Sequence, residues 1–346
     1  MSGISVKEKE SVNVYGREMF RNSETWDGFV DRHHAGYWWH RQAWLDYSLS
    51  YDPKAVDRSF AVVVKSNGYP RVMAVCPAIE RDAIICMGAG DVPCAGPLVI
   101  DHQDETYTSW YREVLLRNIQ SRLGGCRGWW SWNREPSDSR ELIQVLAKRL
   151  SMGQSVTSTS LVSVRNERAW FGLRKSYRSL VLSAAREYDI GYGFADLWPY
   201  YEMCHRHCAT RERDGDTYLH QLRWLRQASA FVVVALPKHG GTTGAMNPDG
   251  RVTSSLSWVA SGSGPDPSST LAAAYVLVYK GRAYYASGPS VQSNLQHALQ
   301  WAAIQAVARL GGHTYELGHH TDDGIGFFKR GFSKDVGSVD VLNGYI

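Results

Sequence analysis

The sequence predicts an α/β protein built from two tandem units. Three observations carry this. The chain has 346 residues, which suits two domains at about 150 residues each. Short β-branched runs alternate with longer segments of helical period. One strand–turn–helix–strand pattern occurs twice.

In chain order, residues 1–20 read as a polar lead-in. Asn22 and Ser23 are caps for a helix starting near Trp26, and a second helix is expected over 42–49. Residues 59–66 read as a strand, Asn67-Gly68 as a hairpin turn and 71–77 as the returning strand. A third strand is expected at 83–87, followed by a Gly/Pro-rich stretch. A long helix follows over 104–123, with Trp110, Val114, Leu115, Ile119 and Leu123 at helical spacing. A strand at 126–132, a helix at 139–150 and a strand at 161–164 complete the first half.

The second half opens on the basic segment Arg174-Lys175-Ser176-Tyr177-Arg178. Helices are expected at 195–209, 218–228 and 295–310, and strands at 231–236, 254–259, 271–279, 283–287 and 313–317. Residues 237–250 and 261–269 read as surface loops. The repeat pairs Ala95-Gly96-Pro97-Leu98-Val99, a helix, Arg122-Leu123-Gly124-Gly125 and a strand with Ser287-Gly288-Pro289-Ser290-Val291, a helix, Arg309-Leu310-Gly311-Gly312 and a strand. Glycine at a helix end adopts the left-handed conformation cheaply, so each Gly-Gly is a sensible stop. Domain boundaries follow at 1–165 and 166–346.

Composition narrows the function classes. Hydrophobic residues make up 44% and charged residues 21%, so the chain builds real cores. The net charge of +4 is too mild to mark a nucleic-acid binder by itself, and leaves room for a local basic groove. Aromatics reach 12%, which fits aromatic-lined clefts. No apolar stretch is long enough for a membrane span, and residues 1–10 lack a signal-peptide core. Six irregularly spaced cysteines do not form a disulfide framework and point to a reducing cytoplasm. Oligomeric state is not legible.

Cys204-His205-Arg206-His207-Cys208 places four candidate metal ligands in five residues. On a helix, Cys204 and Cys208 share a face that His205 and His207 do not, so no metal site is expected there. His319-His320 with Asp322-Asp323 reads as a surface loop. No Gly-x-Ser-x-Gly elbow, Walker loop or Gly-x-Gly-x-x-Gly occurs.

The segment Leu299-Gln300-Trp301-Ala302-Ala303-Ile304, then Leu310-Gly311-Gly312, Tyr315-Glu316-Leu317-Gly318 and Phe328-Lys329-Arg330-Gly331-Phe332, resembles the Fem-type branch of the GNAT superfamily. These are aminoacyl and peptidyl transferases with two GNAT-like domains. Arg174-Lys175-x-x-Arg178 looks like that family's entry to its second domain, and Thr210-x-x-Arg213-x-Gly215 with Tyr218 looks like another of its segments. The resemblance covers 174–332 well. In the N-terminal half it rests on Trp26, Trp44 and Gly96-Pro97.

The resemblance implies a twisted mixed sheet flanked by helices in each half. It also implies acyl transfer from an aminoacyl-tRNA to an amine, on a small or peptide acceptor such as a cell-wall precursor or a peptidyl-nucleoside. Carried onto this chain, it marks Lys329 as the functional lysine. Such a cation beside an ester carbonyl steadies the oxyanion of acyl transfer; the other reading of Lys329 is a solvated lysine beside Arg330. Arg213, with Arg211, suits a diphosphate through a two-pronged fork, or forms a surface ion-pair cluster with Glu212 and Asp214. Tyr218 and Tyr285 are candidate acceptor contacts or half-buried packing residues, and Phe328 and Arg330 flank the lysine. Arg174, Lys175 and Arg178 are candidate tRNA-backbone contacts or a solvated helix face.

No cofactor is expected. The segment 288–293 before the helix at 295 lacks the Arg/Gln-x-x-Gly-x-Gly pattern with which GNAT enzymes hold the CoA pyrophosphate, and Pro289 removes an N–H. This favours an aminoacyl-tRNA donor. Two alternatives are an acyl-CoA-dependent N-acyltransferase acting on an amino sugar and a non-catalytic peptide- or RNA-binding module.

Overall fold

A computed structural model describes residues 11–21, 24–66, 69–86, 94–100, 105–133, 139–164, 168–208, 213–238, 246–247, 249–252, 265–319, 324–333 and 336–346. The first part of the chain runs β1 (Ser11–Gly16), α1 (Glu24–Arg32), α2 (Gln42–Tyr51), β2 (Val56–Asp57), β3 (Phe60–Ser66), β4 (Tyr69–Cys76), β5 (Ile79–Arg81), β6 (Ile84–Ile85), β7 (Cys94–Ala95) and β8 (Leu98–Val99). It continues through α3 (Glu105–Leu123), β9 (Arg127–Asn133), α4 (Ser139–Arg149) and β10 (Gly153–Ser163). Then come α5 (Arg168–Gly172), α6 (Lys175–Glu187), β11 (Tyr188–Gly193), α7 (Trp198–Cys208), α8 (Gly215–Arg226) and β12 (Ala230–Pro237). The last elements are β13 (Ala272–Tyr279), β14 (Arg282–Ser287), α9 (Leu295–Arg309), β15 (Thr314–His319), α10 (Gly324–Lys329) and β16 (Val336–Tyr345).

Two compact units result, Met1–Thr157 with Ser338–Ile346, and Ser158–Gly337. The chain therefore changes unit between 157 and 158 rather than 165 and 166, and its last nine residues return to the first unit (338 to 346).

In the first unit, β1, β3, β4 and β8 form an antiparallel sheet in that order. The run Phe60-Ala61-Val62-Val63-Val64 is apolar throughout because both faces of β3 are covered. Phe60, Val62 and Val64 join one core cluster, while Ala61 and Val63 join another with Trp26 and Leu45. Residues 11–16 are not a lead-in: β1 pairs with β3 from Ser11↔Lys65 to Gly16↔Phe60. Ser66 lies opposite Tyr69, and the hairpin dipeptide Asn67-Gly68 falls outside the described residues. On α3, Tyr111, Leu115, Ile119 and Leu123 face the core, whereas Trp110 is 37% exposed. The inward stripe is therefore one residue removed from the expected start at Trp110. β9 pairs with β16 antiparallel and with β6 and β7 in parallel.

In the second unit the strand order is β11-β12-β13-β14-β15-β10. All neighbours are antiparallel except β14 and β15. Alternate residues of β12 and β13 (Phe231, Val233, Ala235, Ala272, Ala274 and Val276) pack with α6 and α9. Tyr275 points to the other face, where its ring centroid lies 5.2 Å from Tyr201 of α7. The expected strand at 254–259 lies outside the described residues.

The repeat has a structural counterpart in each unit. β7–α3–β9 and β14–α9–β15 are both parallel crossovers. α3 and α9 are each followed, two residues on, by a glycine of positive φ, Gly125 at 87° and Gly311 at 81°.

Candidate functional site

The candidate site lies in the second unit, where the one parallel strand pair among its described residues parts. β14 and β15 pair through Arg282↔Thr314, Ala283↔Tyr315 and Tyr284↔Glu316 only. Beyond these, Tyr285–Ser287 and Leu317–His319 run on without pairing to each other. Two backbone features mark the parting. Val276 faces Tyr285 and Tyr275 faces Ser287, so Ala286 is an extra, bulged residue of β14. Gly318 on β15 has φ 83°.

On the β14 side a buried polar chain backs the opening. The Tyr201 hydroxyl accepts from Gln221 Nε2 at 3.2 Å and also shares hydrogen bonds with Ser287 and Arg213. Burial pushes the Tyr201 hydroxyl up, offset in part by the Arg213 charge and these hydrogen bonds. Burial likewise raises Tyr285, whose hydroxyl lies against Gly288, and Tyr315, whose hydroxyl donates to Gln300. These hydroxyls stay protonated at neutral pH, so they are hydrogen-bond donors rather than bases. His205 is pushed down to about 4 by burial, with the charges of Arg213 and Arg206 adding to the effect. Its Nδ1 lies 3.0 Å from the Tyr218 hydroxyl.

On the β15 side stands Lys329, the last residue of α10, half-buried. A Cβ on Gly318 would lie 3.3 Å from Lys329 Nζ, so the ammonium sits over the end of β15 where the strands part. The lysine carbonyl accepts from Phe332 N at 3.1 Å, and Phe332 is buried.

Lys329 of α10 thus stands by the β15 side of the parting, while Arg213 and Tyr285 adjoin Tyr201 on the β14 side. Other candidates are placed differently. Tyr218 is only 5% exposed, its hydroxyl is engaged by His205, and the Arg206 guanidinium lies 4.4 Å over its ring. Phe328 packs edge-on against His297 and Phe332, and Arg330 is exposed. The Arg174 guanidinium lies 3.9 Å over the Phe327 ring, Lys175 is exposed and Arg178 is half-buried. Arg211 and Thr210 fall outside the described residues, as do residues 320–323. Tyr201 and Ser287 were not singled out from the sequence. The available signal was the i, i+4 spacing of Tyr201 and His205 on α7.

Cys204 is pushed up to about 12 by burial and by neighbouring Cys208, and its thiol faces the Pro289 carbonyl at 3.7 Å. Among the described residues, no three His, Cys, Asp or Glu side chains are grouped to hold a metal. No helix of the described residues is long and apolar enough to cross a membrane. The start of α9 is closed on itself. Leu295 N donates to Gln292 O at 3.1 Å and Gln296 N to Ser293 O at 3.2 Å. The Gln296 side chain bridges the Ala273 and Pro289 carbonyls, each at 3.1 Å.

No protein-family model matches the chain, and no curated protein matches it. Solved structures do. FemX is 12% identical, with a TM-score of 0.58 over 95% of this chain and 96% of its own. The C-terminal domain of a putative lysylphosphatidylglycerol synthetase from Agrobacterium fabrum is 13% identical, with a TM-score of 0.54 over 92% of this chain and 90% of its own. A tandem GNAT protein from the clavulanic acid biosynthesis pathway is 12% identical, with a TM-score of 0.47 over 97% of this chain and 98% of its own. With mixed sheets flanked by helices over nearly its whole length, the chain shares the fold of FemX and of that synthetase domain.

Proposed function

We propose that the protein is an aminoacyltransferase that moves an aminoacyl group from an aminoacyl-tRNA to an amine of a small or peptide acceptor. The observation that carries this is the Lys329 ammonium over Gly318, where β14 and β15 part. The acceptor amine attacks the ester carbonyl, the C–N bond forms and the C–O bond to the terminal ribose breaks. One amine proton ends on the released ribose hydroxyl. Negative charge grows on the carbonyl oxygen, and a half-buried ammonium steadies it more strongly than one in water. Arg213, fixed by its hydrogen bond to Tyr201, is offered as the contact for an anionic acceptor group such as a diphosphate.

The closed start of α9 favours tRNA over CoA as donor. Two of its first amides already donate to backbone carbonyls, so they are not aimed at a pyrophosphate. The acceptor's identity and the roles of Arg174, Lys175 and Arg178 toward the tRNA backbone rest on the Fem resemblance.

The test is incubation with total charged tRNA and a panel of candidate amines, read by mass spectrometry. The expected product is an aminoacyl amide whose formation stops after RNase treatment of the donor. Product formation that survives RNase, or that requires acyl-CoA, overturns the proposal.

A further inference from the structure

Lys329 ends a six-residue helix, too short to hold a side chain in place by its own stability. The chain instead grips this helix end from the start of α6. The Tyr177 hydroxyl donates to the Phe328 carbonyl at 3.2 Å. The Tyr177 ring lies so close over Gly331 that a Cβ there would stand 2.0 Å from Tyr177 Cε2. The Arg174 amide donates to the Gly331 carbonyl at 3.0 Å, and the Arg174 guanidinium covers Phe327. His297 of α9 packs edge-on against Tyr177, with ring centroids 4.3 Å apart. Phe327, Phe328, Gly331 and Phe332 are thereby each touched by Arg174 or Tyr177, through side chain or backbone.

We infer that Tyr177 is a positioning residue that sets the Lys329 ammonium over Gly318 by clamping the turn immediately before and after it. The inference rests on the reading of Lys329 given above. It explains the glycine of the Phe-Lys-Arg-Gly-Phe segment, since any side chain at 331 collides with the Tyr177 ring. It also gives the half-buried α6 start a task beyond the electrostatic one considered from sequence.

The test reads position first and turnover second. Trace acetylation with acetic anhydride, quantified by peptide mass spectrometry, compares wild type with Tyr177→Phe, which keeps the ring and removes the hydroxyl's hydrogen bonds to Phe328 and Arg174. Acetylation of Lys329 is expected to rise by at least about fivefold, the weight of the lost bond to Phe328 alone, while Lys54 and Lys280 stay unchanged. Gly331→Ala, which leaves the hydroxyl intact and forces the ring away, should give the same selective rise. In the transfer assay, Tyr177→Phe should lower kcat with KM unchanged, and that loss should vanish in a Lys329→Met background. Unchanged Lys329 acetylation in both variants, or a kcat loss that adds fully to that of Lys329→Met, overturns the inference. Normal transfer by Lys329→Met alone instead overturns the reading of the lysine, whatever the acetylation shows.

Discussion

His205 shows how much of the site is set by single residues. It is 6% exposed, with Tyr218 on Nδ1, Tyr201 beside its ring, and the Arg206 and Arg213 charges nearby. Its folded pKa, about 4, lies below the ordinary 6.5. The unfolded chain therefore binds more protons between these values, and stability rises with pH across that window. Acidification from above pH 6.5 to below 4 should cost on the order of 3 kcal/mol from this group. Urea unfolding of His205→Asn should lose most of that pH slope. A slope unchanged from wild type would show that another group carries it. Lys329 and Arg213 were singled out from the sequence through the Fem resemblance rather than through anything in their own neighbouring residues. Tyr201, a buried tyrosine among the 19 in the chain, was not singled out, because its hydrogen bonds to Ser287 and Arg213 are formed only by the fold.

At the scale of elements, the legible parts were those whose burial leaves a pattern. β3 and β12 are continuous apolar runs because helices cover both faces, and α9 is a long run of good helix formers buried from Ala298 to Ile304. β1 (Ser-Val-Asn-Val-Tyr-Gly) and β16, rich in Gly, Asp and Asn, gave no such signal. Their strand state comes from pairing with β3 and β9, which is tertiary context overriding weak propensity. The repeated helix stops were legible, and they make a prediction. A Cβ on Gly311 meets nothing within 4 Å, so its cost is purely that of the positive φ. Gly311→Ala should destabilise by about 1 kcal/mol in denaturant unfolding, and Gly311→Asn by less. Equal stability of Gly311→Ala and wild type would refute the left-handed stop.

For the whole molecule, the sequence conveyed two units and missed where the last strand belongs. Residues 338–346 lie in the first unit, where β16 pairs with β9 from Val339↔Asn133 to Tyr345↔Arg127. Truncation after Gly337 should therefore expose Trp130 and Trp132, both buried on β9, and red-shift their fluorescence. Residues 158–337 should keep their protection from hydrogen exchange. Loss of protection there, with β9 unaffected, would contradict the assignment.

One ammonium group, that of Lys329, stands where β14 and β15 part. Single-turnover transfer from charged tRNA to saturating acceptor, comparing wild type with Lys329→Met, addresses its role most directly. The predicted result is a rate reduced by more than about tenfold with acceptor affinity unchanged, as for a contact made only in the transition state. An unreduced rate in the folded variant would contradict the account.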